Sequence, residues 1–157
     1  MPNPHIKKVK IFNYRRFVSF EIPLDPKKNV LIGDNEAGKS SILSAVDIVL
    51  SGSRHKVESV GLDSLFNKAS VETFLALTEK NYEDLPVMKI ELYLTDQGRS
   101  EWNGKFNSDD VESDGLILIC EPSDVYGDEI KEILRQPQIE FPFESVSYTH
   151  LTLPTKA

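Results

Sequence analysis

The sequence predicts an α/β domain in which a strand, a glycine-containing loop and a helix follow one another. Three observations carry this. Residues 1–33 hold short apolar and alternating runs, residues 33–40 read Gly33-Asp34-Asn35-Glu36-Ala37-Gly38-Lys39-Ser40, and beyond Gly38 the apolar period lengthens from two to 3.6.

Lys8, Val9, Lys10 and Ile11 alternate, as do Ser19, Phe20, Glu21 and Ile22, and each set predicts a strand. Asn13, Tyr14, Arg15 and Arg16 supply the hairpin connection between them. Pro23 and Pro26 bracket a turn, since neither can donate to a sheet ladder. Asn29, Val30, Leu31 and Ile32 form a third short strand, stopped by Gly33. Ile42, Ala45, Val46 and Val49 share one helical face, which predicts a helix from near Gly38 to just before Ser51, with Gly52 as its C-cap. A weaker pattern gives a short helix over residues 71–80. Met88, Ile90, Leu92 and Leu94 oppose Lys89, Glu91, Tyr93 and Thr95, the signature of a half-buried strand. Residues 97–115 are polar and turn-rich, residues 116–119 form a buried strand, and residues 128–134 form a helix charged on one side. Residues 139–146 predict a further strand that Pro142 would confine to a sheet edge.

With 157 residues, 39% of them apolar and 27% charged, the chain is expected to bury a real core, and disordered or collagen-like readings are poor. The single cysteine, Cys120, cannot close an internal disulfide. No apolar run approaches the roughly 18 residues of a membrane span, and the N-terminus lacks the apolar segment of a signal peptide, so a cytoplasmic protein without a membrane partner is expected. The net charge of -7 is uneven: residues 1–28 sum to +5, whereas residues 81–135 hold fourteen acids against five bases. That split allows a local polyanion contact near the N-terminus and argues against the whole chain coating DNA; solvated faces on two parts of one domain are the favoured reading.

The motif at residues 33–40 matches G-x-x-x-x-G-K-[ST], the phosphate-binding loop. Four residues between the glycines let successive backbone N–H groups converge on phosphate oxygens, and the following helix adds unpaired amides and the positive end of its dipole. Gly33, Asp34, Asn35, Glu36, Ala37, Gly38, Lys39, Ser40 and Ser41 are therefore the candidate ATP-binding residues. Lys39 is expected to reach the β- and γ-phosphates and carries the catalytic role, and the Ser40 hydroxyl is expected to ligate Mg²⁺. Ser41 either touches the α-phosphate or simply bonds within the first helical turn.

An N-[FY]-[RK]-x-[FY] hairpin (Asn13, Tyr14, Arg15, Arg16, Phe17), an apolar strand, and a G-x-N-x-x-G-K-S loop opening a helix resemble the start of the ABC-type ATPases of DNA metabolism, the SMC, RecF and OLD group. The resemblance covers residues 5–50. Beyond it, the strands expected after residue 87 look more like the β-rich region of OLD-type ATPases than a coiled coil. It implies a P-loop NTPase of ABC-head type, with a β-rich insertion and ATP hydrolysis between two heads of a homodimer. In OLD-type proteins it further implies a C-terminal Toprim nuclease acting on DNA, for which this chain holds no sequence. It also makes Arg15 and Arg16 candidates for approaching the phosphates, against the plainer reading of a solvated turn. An SMC- or RecF-like structural DNA-repair ATPase without a nuclease, and a module that binds nucleotide without cleaving it, stay open.

Residues 116–122 (LILICEP) resemble the hhhhDEP strand of that group with Cys120 in place of the metal-side aspartate. A thiol is a poor ligand for a hard cation, and no LSGGQ-type loop precedes it, so a buried structural strand is expected and the 157-residue chain is expected to turn over ATP negligibly. Gln136 and Gln138 read as surface glutamines, and His5, His55 and His150 are too scattered to suggest a metal site. Residues 145–157 contain no acid, and SYTHLTLPT resembles a string found at the ends of truncated reading frames. Residues 1–144 are therefore expected to be part of an N-terminal ATPase domain and residues 145–157 a non-native tail.

Overall fold

The computed structural model describes residues 5–27, 38–95 and 103–152. The strand expected at residues 29–32 and the loop residues Gly33, Asp34, Asn35, Glu36 and Ala37 lie outside the described residues.

The described residues form one mixed α/β unit around an antiparallel sheet. Its strands are β1 (Ile6–Tyr14), β2 (Phe17–Pro23), β3 (Met88–Leu94), β4 (Asn103–Gly104), β5 (Ser113–Pro122) and β6 (Val146–Thr152). The order is β2-β1-β3-β5-β4, with β6 also on β5. β3 occupies one side of β5 from Asp114 to Cys120, so β4 and β6 lie end to end along the other, β4 against Ser113 and Asp114 and β6 from Leu116 to Pro122.

One face of the sheet carries the main core. Val9 and Ile11 of β1, Met88, Ile90 and Leu92 of β3, and Leu118 and Cys120 of β5 are buried together with Ile42, Ala45, Ile48 and Val49 of helix α1 (Lys39–Ser51). Burial of each larger aliphatic side chain contributes about 1.5–3 kcal/mol, which is why the helix stripe and the strand alternation select this arrangement. Gly52 ends α1 in the left-handed region, its N–H donating to the Val49 carbonyl at 3.3 Å, as the sequence predicts. Three further helices, α2 (Arg54–Val60), α3 (Leu62–Leu65) and α4 (Lys68–Leu75), follow, and α5 (Gly127–Leu134) comes after β5.

The structure corrects four expectations. α2 was not foreseen; Ser53 caps it by accepting from the Lys56 N–H at 3.3 Å. The helix expected over residues 71–80 is α4 instead, starting at the Asn67 cap and ending at Leu75, because Val71 and Phe74 bury while Thr78 and Glu79 offer nothing apolar to continue the stripe. The strand expected over residues 139–146 is a loop and a turn; the Ser145 N–H donates to the Pro142 carbonyl at 3.0 Å, Phe141 and Phe143 pack against Phe66, and the strand begins at Val146.

The fourth correction concerns β3. Its second face is covered rather than solvated. Glu91 is fully buried, accepting from the Ser108 N–H at 2.8 Å, the Ser108 hydroxyl at 2.6 Å and the Tyr93 hydroxyl at 3.1 Å. The next residue, Asp109, meets Lys8 and Lys10 at 2.6 Å each. These two lysines hold its carboxyl at about 2, and Asp109 in turn raises Lys8. Part of the basic N-terminal charge is thus matched within the chain by the acidic middle.

Candidate nucleotide site

The site forms where the β1–β2 hairpin meets the start of α1. Gly38 caps α1 with φ 88°, a left-handed conformation that favours glycine, and its carbonyl accepts the first helical bond from the Ile42 N–H at 2.9 Å. It also has no room for a side chain: a β-carbon there would lie 2.6 Å from Phe17 Cζ and 3.0 Å from Arg16 Cδ. The two halves of the sequence motif, the aromatic-basic hairpin and the last glycine of the loop, are therefore in contact.

Lys39, Ser40 and Ser41 follow as the first turn of α1, with Lys39 half-buried, Ser40 exposed and Ser41 buried. Among the described residues no side chain caps this helix, and its first turn holds no acidic residue. The helix thus opens with amide groups and a positive dipole end, suited to an anion such as phosphate. The exposed Ser40 hydroxyl is a hard oxygen donor of the kind Mg²⁺ takes, so the residues present fit the Mg²⁺–nucleotide pair that the loop implies.

Arg15 and Arg16 make up the two-residue turn between Tyr14 and Phe17. Arg16 is exposed beside Gly38, whereas Arg15 is half-buried with its guanidinium 5.5 Å from the centre of the Tyr14 ring. Asn13 and Arg15 both adopt positive φ, 53° and 48°. That backbone is held by residues 65–67. The Arg15 N–H donates to the Leu65 carbonyl at 2.6 Å, the Asn67 N–H to the Asn13 carbonyl at 2.9 Å, and the Asn67 side-chain amide to the Arg15 carbonyl at 2.7 Å. Sequence reasoning missed Asn67; its only local signal is an Asn placed as a helix N-cap, with Oδ1 accepting from the Ser70 N–H at 2.8 Å.

Cys120 and Glu121 do not reach this site together. As expected, residues 116–122 belong to a buried strand, and its pleat sends Cys120 into the core beneath α1 while Glu121 lines a depression on the far face with Phe12, Val87 and Lys89. Burial, and secondarily the charge of Glu121, push the Cys120 thiol up to about 12. Gln136 and Gln138 are exposed. Among the described residues no group of three or more His, Cys, Asp or Glu could hold a metal ion, and no helix is long and apolar enough to cross a membrane.

An αL glycine, a lysine and a serine opening a helix that packs on a sheet, behind the sequence G-x-x-x-x-G-K-S, define a P-loop NTPase. A family described as "AAA ATPase domain" matches residues 5–148, and the chain belongs to it. It is also similar to curated proteins described as "DNA replication and repair protein RecF". That of Lysinibacillus sphaericus is 29% identical over 107 residues, covering 66% of this chain and 26% of the relative. That of Oceanobacillus iheyensis is 35% identical over 52 residues, or 33% and 14% of the two chains, and that of Synechocystis sp. is 27% identical over 95 residues, or 60% and 24%. The chain thus matches about a quarter or less of the length of these relatives.

Proposed function

We propose that this chain is the nucleotide-binding portion of a cytoplasmic DNA-repair ATPase and that it binds MgATP through residues 33–41. The supporting observation is the contact of the hairpin with Gly38 at the start of α1. In this reading Gly33, Asp34, Asn35, Glu36, Ala37 and Gly38 cradle the phosphates with backbone amides, Lys39 neutralises the β- and γ-phosphates, and the Ser40 hydroxyl ligates Mg²⁺. Ser41 closes the first helical turn beside the α-phosphate. Arg16, exposed beside Gly38, approaches the phosphates from the hairpin, and Arg15 supports it from the Tyr14 ring. Bound Mg²⁺ would offset phosphate charge and orient the γ-phosphoryl group.

Isothermal titration of MgATP into the wild-type and Lys39→Ala proteins tests the site. A charge-assisted contact is worth about 1.5–3 kcal/mol, so the variant should bind roughly ten- to a hundredfold more weakly. Unchanged affinity overturns the assignment.

For the whole protein the first reading is a DNA-repair ATPase without a nuclease, in which ATP joins two heads on DNA; the likeness to proteins described as "DNA replication and repair protein RecF" supports its DNA-repair part. The antiparallel sheet beyond residue 87 supports the second, OLD-like reading, in which a Toprim domain cuts DNA. Metal-dependent cleavage of DNA by the full-length protein would select the second; its absence alongside DNA-stimulated ATP hydrolysis would select the first.

A further inference from the structure

The hairpin apex that carries Arg15 and Arg16 is gripped between two elements. On one side Phe17 and Arg16 lie against Gly38, and the Tyr14 hydroxyl donates to Ser44 of α1 at 3.1 Å. On the other, residues 65–70 run along the apex as a splint: Tyr14 and Phe66 form an isolated antiparallel bridge, flanked by the backbone bonds of Leu65 and Asn67. Within the splint three bonds of Asn67 tie the apex to α4. Its N–H holds the Asn13 carbonyl, its side-chain amide holds the Arg15 carbonyl, and its side-chain oxygen caps α4. Ser70 extends the grip, its hydroxyl donating to Asn13 Oδ1 at 2.7 Å, while the Asn13 amide donates to the Val87 carbonyl at 2.8 Å.

We infer that Asn67 is a positioning residue for the nucleotide site, fixing the Arg15 carbonyl so that Arg16 stands over the start of α1. The inference rests on the reading of residues 33–41 as the ATP site. The physical need is specific. Asn13 and Arg15 both hold positive φ, a conformation that asparagine tolerates but that is costly for arginine and persists there only when surrounding bonds over-determine it. Asn67 is 4% exposed, so its amide donates to Arg15 without competition from water. Releasing that carbonyl frees the peptide between Arg15 and Arg16 to rotate and carries the Arg16 side chain off Gly38.

The experiment separates this role from helix capping. Asn67→Ser keeps a cap acceptor for the Ser70 N–H but removes the donor to Arg15, whereas Asn67→Ala removes both. MgATP affinity is measured for wild type, Asn67→Ser, Arg16→Ala and the double variant, with Lys39→Ala as control. Asn67→Ser should keep the wild-type melting temperature within a few degrees and weaken ATP about fivefold, and that loss should vanish in the Arg16→Ala background, where there is nothing left to position. Ser70→Ala, a milder perturbation that leaves Asn67 in place, should show a smaller loss with the same dependence on Arg16, which keeps the test decisive if Asn67→Ser folds poorly. Unchanged affinity in both Asn67→Ser and Ser70→Ala, or a loss equally large with and without Arg16, overturns the positioning role. Unchanged affinity in Lys39→Ala overturns the nucleotide reading and this inference with it.

Discussion

The Tyr14 hydroxyl donates to the Ser44 hydroxyl at 3.1 Å, joining the last residue of β1 to the second turn of α1 across a fully buried ring. It is the one side-chain hydrogen bond the described residues show between the hairpin and the helix that opens the site. Burial raises the Tyr14 phenol above its ordinary value, so the O–H stays a donor throughout the physiological range.

Tyr14→Phe should keep the ring packing and lose this bond, at a cost of about 1 kcal/mol. In a chain of this size that lowers the melting temperature by roughly 2–4 °C, a shift that scanning calorimetry resolves. An unchanged melting temperature would mean that the hydroxyl pair adds nothing to the docking of hairpin on helix.

Gly38→Ala should be damaging for two separable reasons. The left-handed φ costs an L-residue roughly 1–2 kcal/mol, and the new methyl drives the Phe17 ring away from 2.6 Å. Adding Phe17→Ala should relieve the clash but not the φ strain, so urea denaturation should show partial rescue in the double variant. Full rescue would assign the whole effect to crowding.

Asp109 supplies a pH signature. Its carboxyl, held down to about 2 by Lys10 and Lys8, gives stability that is complete above the ordinary carboxylate value near 4 and is lost as pH falls from there toward 2. Asp109→Asn should lower the urea midpoint at neutral pH by the equivalent of ~1 kcal/mol, and the gap from wild type should close below pH 3. A gap that persists at pH 2 would place the effect in packing of the loop, not in charge.

Cys120 should be inert in the native protein. With its thiol at about 12 and no solvent contact, alkylation at pH 8 should proceed only through unfolding, at the same rate as global opening. Rapid modification of the folded chain would show that β5 frays.

Much of this fold is legible because it follows local periodicity. The alternation of Lys8 to Ile11 and of Ser19 to Ile22, and the α1 stripe of Ile42, Ala45 and Val49, each lie in the element they predict. What escapes is set by distant partners. Glu91 reads as a solvent-facing residue of an alternating strand, and only the return of Ser108 over the sheet turns it into a buried, satisfied carboxylate. Phe141 and Phe143 read as strand residues until the Phe66 cluster and the missing proline N–H claim them for a turn. At the site, Gly38, Lys39 and Ser40 stand out through a fixed spacing, but Asn67 lies 52 residues from the carbonyl it holds and no motif announces it.

β5 is flanked on both sides along nearly all its length, by β3 and by β4 and β6. Its central amides are released to solvent deuterium only when the whole sheet opens, so they act as a built-in gauge of total stability. A ligand held at α1 slows that gauge by mass action alone, without touching it. Slower deuterium uptake at β5 on adding MgATP is therefore an expected readout of the proposed site, taken from a strand that shares the core with α1.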